Sequence, residues 1–218
     1  MSARVKVCGL TRGRDVERCA AIGVDMYGFN CWPQSPRFVS SAALPALVRG
    51  VPPEGEIMLV FVKSAPDEVA AVVASLDVAV QRVAVQLHGD EDPRDYEALG
   101  VRIVQVLRVG APSNDVPSVR TSRVLVDVHA SGYGGTGQAI DPASLDRVRP
   151  RLPSEWILAG GLDAVSVGTA IERFRPWGVD VASGVESAPG VKDHNKLGAF
   201  VAAVRAKATR QTGDGERC

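Results

Sequence analysis

Apolar residues fall into two alternating patterns along the 218-residue chain. Short runs rich in β-branched residues predict strands at Val5–Val7, Met26–Phe29, Ile57–Val62, Arg82–Gln86, Arg102–Leu107, Val124–Asp127, Trp156–Leu158 and Val179–Val181. Between several of them the apolar period becomes helical. Val16, Cys19, Ala20 and Gly23 share one helix face, as do Val69, Val72, Val73 and Leu76. The same spacing joins Val167, Ala170, Ile171 and Phe174, and again Leu197, Phe200, Val201 and Val204. Pro66 suits a first-turn position, Asp163 and Asp193 suit N-caps, and Pro176 ends the helix before it. Thr11 reads as the start of the first helix. Weaker helical patterns cover 40–48, 92–98 and 142–150, and Val109–Arg120 reads as mostly loop.

Strands that alternate with helices predict a parallel sheet, because each helix carries the chain back to the same end. Two closures compete: a (β/α)8 TIM barrel and an open doubly wound sheet. The open sheet often carries GxGxxG after its first strand, but Cys-Gly-Leu-Thr-Arg-Gly stands here. A barrel can be built from about 200 residues. The expectation is therefore an α/β chain with a single (β/α)8 barrel domain over 1–208 and a polar, disordered tail over 209–218.

Composition narrows the function classes. Lys plus Arg equals Asp plus Glu, 25 each, which argues against a general affinity for nucleic acid. No apolar run reaches the ~20 residues of a membrane helix, and the N-terminus lacks a signal-peptide layout. A cytoplasmic protein is expected, with no membrane partner. Cys8, Cys19, Cys31 and Cys218 form no CxxC pair, so neither a metal site nor a disulfide framework is expected.

In a barrel the active site lies at the C-terminal strand ends, so polar residues there are candidates. Cys8 ends the first strand, Gln86 and His88 the fourth, and Asp127 the sixth. Gly160 and Gly161 follow the seventh, Ser183 and Gly184 the eighth, and Arg37 lies in the loop after the second. The two glycine turns, AGGLD and VASGVES, predict a phosphate cradle, because such turns and helix N-termini aim N–H groups at an anion. Each of the others has a plain structural alternative. A cysteine beside a core strand is ordinarily a small apolar residue. Asp127 can cap a neighbouring loop, His88 can be a hydrogen-bonded loop residue, and Arg37 a surface arginine. Their convergence on one rim favours function. The loop 131–138, SGYGGTGQ, lacks the P-loop spacing and reads as a lid.

KVCGLT, GFNCWPQSPRFVS, VFVKSAPDEV, VQLHGDE, VLVDVHASGYGGTG, LAGGL and GVDVASGVESAPGVKD follow in this order. From about Val5 to Val204 the chain strongly resembles the phosphoribosylanthranilate isomerase family of tryptophan biosynthesis. The resemblance implies a cofactor-free barrel that turns a phosphorylated small-molecule aminoaldose into an aminoketose by an Amadori rearrangement. By the same resemblance Cys8 matches the general base, Asp127 the general acid and Arg37 a contact to the anthranilate end. The glycines of AGGL and the Ser-Gly of SGVES match the phosphate loops. Gln86 and His88 are added as substrate-binding candidates.

That chemistry suits those side chains. Opening the ribose ring needs a proton on the ring oxygen, and partial burial favours the protonated form of a carboxyl such as Asp127. Forming the enolamine needs a base at C2′. A free thiol, with a pKa of about 8.5, needs a cationic or dipolar neighbour to serve, and the sequence identifies none. Gly9 is expected to keep the substrate's approach to Cys8 open. The chain departs from the family pattern at Cys31, Ile140 and Pro142, where aromatics are common. This raises a second reading, an isomerase for a different phosphoribosyl amine. A third is a non-catalytic barrel that binds a phosphate ligand. An isomerase that also serves histidine synthesis is a weaker fourth, since no internal repeat of halves is visible. Family members occur as monomers and homodimers, and the resemblance does not choose between them.

Overall fold

The computed structural model describes residues 2–109, 118–128 and 142–213. The parallel strands β1 (Arg4–Val7), β2 (Met26–Asn30), β3 (Glu56–Phe61), β4 (Val83–Leu87), β5 (Arg102–Arg108), β6 (Arg123–Asp127), β7 (Glu155–Ala159) and β8 (Gly178–Val181) pair in sequence order into a closed barrel. Each lies within one residue of its predicted ends. β1 closes on β8 from Arg4↔Gly178 to Val7↔Val181. The Cys8 N–H extends that ladder, donating to the Val181 carbonyl at 2.9 Å. The barrel is thus the closure that forms, and the open sheet is excluded.

The described helices are α1 (Gly13–Ala21), α2 (Leu44–Val48), α3 (Pro66–Ala74), α4 (Pro142–Val148), α5 (Val167–Phe174) and α6 (His194–Gly213). The pattern over 92–98 becomes a 3-10 helix, Pro93–Leu99, which serves as the crossover from β4 to β5. The predicted helix faces are the buried ones: Val16 and Cys19 on α1, Val167, Ala170, Ile171 and Phe174 on α5, and Leu197, Phe200, Val201 and Val204 on α6. Burying a side chain such as Phe200 contributes about 1.5–3 kcal/mol. Pro66 is the first residue of α3. Asp193 Oδ1 accepts the N–H groups of Asn195 and Lys196 at the start of α6. Asp163 Oδ1 likewise takes those of Val165 and Ser166. α5 ends at Phe174, before Pro176.

Three expectations change. Thr11 does not start α1; its Oγ1–H donates to the Gly190 carbonyl at 2.5 Å, and the helix begins at Gly13. α6 continues to Gly213, past the Thr209 boundary drawn for the tail. A short hairpin, β9 (Glu186–Ala188) and β10 (Val191–Lys192), follows β8, although its sequence carries too few apolar residues to announce strands. Most of the predicted loop 109–120 and the glycine-rich stretch 131–138 lie outside the described residues.

Residues i and i+2 of a strand share a face, so one set of side chains packs under the helices and the other fills the lumen. Met26, Met58, Ala84, Val104, Leu125 and Ile157, from β2 to β7, form an apolar plug in the lumen. At its N-terminal end Arg123 bonds both Glu56 and Glu155 and stacks 4.2 Å from the Trp177 ring. These ion pairs lie at the end of the barrel opposite to the one where chemistry sits on this fold.

Candidate active site

At the C-terminal ends of the strands a cavity of about 210 Å³ enters the barrel. Cys8, Arg37, Gln86, His88, Asp127, Gly160, Gly161 and Ser183 all line it. These are eight of the nine predicted site residues. The ninth, Gly184, stands just behind: a Cβ on it would lie 2.1 Å from the Leu162 carbonyl oxygen. The turn after β8 therefore packs on the turn after β7 with no room for a side chain. Gly160 has a φ of +112°, which suits only glycine. Gly160, Gly161 and Ser183 thus bring the two turns to one cavity wall, with the 3-10 helix Ser183–Val185 at its edge.

Cys8 projects into the lumen one step above Lys6. The space for its thiol comes from β2: a Cβ on Gly28 would lie 2.9 Å from Cys8 Cα and 3.1 Å from Sγ. Gly9 has another task than the one expected. A Cβ there would lie 2.4 Å from Arg37 Cδ, so Gly9 clears a channel for the arginine rather than for substrate. Arg37 crosses it to reach Glu186 through Nε–Oε1 at 2.9 Å and Nη2–Oε2 at 2.6 Å. Glu186 also accepts from Lys192 Nζ at 2.8 Å and the Gly190 N–H at 3.1 Å. Burial pushes the Glu186 carboxyl up, but Arg37 and Lys192 outweigh it and hold it below its ordinary value. Lys192, wholly buried, donates further to the carbonyls of Cys8 and Ala182 and so ties the ends of β1 and β8 together.

Across the mouth, Asp127 ends β6 at 8% exposure. His88 Nε2 lies 3.7 Å from Asp127 Oδ2. Burial, Arg108 and Lys6 push the His88 pKa down to about 4, so the ring is neutral at pH 7 and the contact is not a salt bridge. Gln86 Nε2 faces His88 Nδ1 at 3.1 Å. With Gln86 as donor, the remaining imidazole proton sits on Nε2, toward Asp127. Gln86 Oε1 is buried and has no hydrogen-bond partner among the described residues. A buried acceptor without a partner costs about 1–3 kcal/mol, so this atom suits a ligand's hydroxyl or amine.

Asn30 and Trp32 line the cavity, while Cys31 between them packs against the outer core. Burial pushes its thiol up to about 12. Cys31 is thus not among the described residues that line the cavity. Ile140 and the Pro142 side chain lie outside the described residues. The sequence singled out neither Glu186 nor Lys192, nor Lys6 with Asp180. The charged letters in SGVESAPGVKD were the available sign, but their neighbours are set by the hairpin.

The fold and cavity define a (β/α)8 barrel with a polar site at the C-terminal strand ends. The family model of N-(5′-phosphoribosyl)anthranilate isomerase matches residues 5–203. The N-(5′-phosphoribosyl)anthranilate isomerase of Bordetella petrii is 40% identical, over 98% of this chain and 100% of its own. The crystal structure of phosphoribosylanthranilate isomerase from Thermotoga maritima superposes with a TM-score of 0.80 at 29% identity, over 94% of this chain and 99% of its own. A structure of the isomerase in complex with reduced 1-(o-carboxyphenylamino)-1-deoxyribulose 5-phosphate superposes with a TM-score of 0.76 at 26% identity, over 94% and 99%. The chain belongs to the phosphoribosylanthranilate isomerase family. No described helix is long and apolar enough to cross a membrane.

Proposed function

We infer that the protein catalyses the Amadori rearrangement of N-(5′-phosphoribosyl)anthranilate to 1-(2-carboxyphenylamino)-1-deoxyribulose 5-phosphate in tryptophan biosynthesis, with Asp127 as general acid and Cys8 as general base. The observation that carries the residue assignment is their placement. A thiol on β1 and a carboxyl on β6 face one cavity, and the paired glycine turns after β7 and β8 stand between them around the barrel wall.

The substrate phosphate occupies the turns at Gly160, Gly161, Ser183 and Gly184, where backbone N–H groups meet an anion. Asp127 gives its proton to the ribose ring oxygen, the C1′–O bond breaks, and the nitrogen lone pair forms the C1′=N bond of a Schiff base. The Cys8 thiolate then takes the C2′ proton, the electrons of that C–H bond form the C1′=C2′ double bond of the enolamine, and the C1′=N π pair returns to nitrogen. Tautomerisation to the ketone completes an isomerisation with no net redox change, so no cofactor is required. Arg37, held flat by Glu186, offers a planar cation to the anthranilate carboxylate. Gln86 Oε1 accepts a substrate hydroxyl. His88 is a neutral neighbour of Asp127 and adds no charge to the site. The enzyme works in the cytoplasm, as a monomer or homodimer.

The test follows the fluorescence of freshly made phosphoribosylanthranilate. The unsubstituted protein consumes it, and Cys8→Ala and Asp127→Asn each lose about 10²–10⁴ in kcat, the usual weight of one proton-transfer group. Near-normal kcat in either variant would remove that residue from its role.

A further inference from the structure

The apolar plug of the lumen is interrupted at one seam. β2 to β7 contribute Met, Ala, Val, Leu and Ile, but β1 and β8 contribute Lys6 and Asp180. The two are register partners, and Lys6 Nζ meets Asp180 Oδ1 at 3.0 Å. The Lys6 side chain has no solvent exposure at all. A buried pair of this kind seldom adds stability over apolar residues of similar size, so its presence calls for another reason. Its position supplies one. Lys6 and Cys8 are two residues apart on one strand and point to the same face, which puts the ammonium beneath the thiol. Asp180 lines the same cavity as Cys8.

We propose that Lys6 is a positioning residue whose buried ammonium holds the Cys8 proton acceptor in its thiolate form, and that Asp180 tempers this by sharing the same cation. The proposal rests on the reading of Cys8 as the base. It also gives the thiol the cationic neighbour that a cysteine base requires. Burial opposes charge on Lys6, yet Asp180 and Cys8 together hold its pKa above the ordinary 10.5, so the ammonium persists inside the barrel.

Other charges face Cys8 from the surrounding elements. Arg37, on the loop after β2, interacts with it electrostatically, and its guanidinium is turned onto Glu186, which it shares with Lys192. Lys192, from β10, spends its donors on Glu186 and on backbone carbonyls, including that of Cys8. His88 is neutral, and Asp127 stands across the cavity on β6. Lys6 is thus the buried cation that stands on the strand of Cys8 itself, two residues away on the same face, with Asp180 as its partner carboxylate.

The experiment measures alkylation of Cys8 by iodoacetamide against pH, read at the Cys8 peptide by mass spectrometry, beside the pH profile of kcat/KM. In Lys6→Met the alkylation inflection and the acid limb of kcat/KM move to higher pH by about one unit or more. In Asp180→Asn the alkylation inflection moves to lower pH. Lys6→Arg keeps the charge and retains most of the unsubstituted profile. If Lys6→Met fails to fold, the Asp180→Asn shift decides alone. An inflection that stays in place in the folded variants overturns the proposal. The two readings fail separately. If Cys8→Ala keeps turnover while the alkylation shifts occur, the base assignment falls and the coupling stands. Loss of turnover in Cys8→Ala without the shifts does the reverse.

Discussion

Arg37 grips both carboxylate oxygens of Glu186, with Nε–Oε1 at 2.9 Å and Nη2–Oε2 at 2.6 Å, after passing over the bare Cα of Gly9. This pair fixes one wall of the cavity, because Glu186 is held at the same time by Lys192 and by the Gly190 N–H. A loop arginine that would otherwise sample many rotamers is thereby presented to the pocket in one pose.

Glu186→Ala leaves two cations without their shared carboxylate, one of them fully buried. The expected loss is about 3 kcal/mol of stability, the range for breaking a buried pair. Chemical denaturation at pH 7 measures it, and KM rises as Arg37 loses its orientation. The pH dependence has a definite sign. The folded carboxyl titrates below its ordinary 4.5, so its stabilising contribution is complete above that value and disappears as pH falls through the folded pKa. The gap between native and variant midpoints should close in that acid range; an unchanged gap would contradict the assignment.

His88 titrates in a different window. Its folded pKa is pushed from 6.5 to about 4, so the unfolded chain takes up a proton first as pH falls. The neutral ring contributes stability above pH 6.5 that is lost between 6.5 and 4, on the order of 3 kcal/mol in all. His88→Asn should be less sensitive to acid over that interval. The kcat/KM profile of the native protein should show no histidine-like ionisation between pH 6 and 7 from this ring.

Gly184→Ala places a methyl group 2.1 Å from the Leu162 carbonyl oxygen. The turns after β7 and β8 must separate, and a displacement of about 1 Å costs roughly 10²-fold in a well-oriented site. Loss of kcat/KM with weakened inhibition by inorganic phosphate is expected. Normal phosphate inhibition would place the anion elsewhere.

Gln86→Ala removes the unpartnered buried acceptor at the cavity wall. A lost hydrogen bond to a neutral substrate group lowers kcat/KM about tenfold, and thermal unfolding should change far less than in Glu186→Ala. Unchanged kinetics would show that no substrate group meets Oε1.

The sequence by itself determined the alternation of parallel strands and covering helices, while the pairing of β1 with β8 decided the barrel over the open sheet. Buried parallel strands must be short and apolar, and the helices that cover them must carry one apolar stripe, so Val5–Val7 or Val124–Asp127 could be placed to a residue. It also determined where chemistry could sit, since a thiol after Val7 and a carboxyl after Val126 break otherwise apolar runs at the functional end. The tertiary structure alone decided who neighbours whom. Gly28 makes room for Cys8 from another strand, Gly9 serves Arg37, and Glu186 joins Arg37 to Lys192 through a hairpin with almost no apolar pattern. Lys6 looks like any strand lysine until the closure of β1 on β8 buries it against Asp180. The physical reason is that periodicity records which side of an element is buried, one element at a time. The partner of a buried charge depends on register and closure across residues more than a hundred positions apart, and no local pattern encodes that.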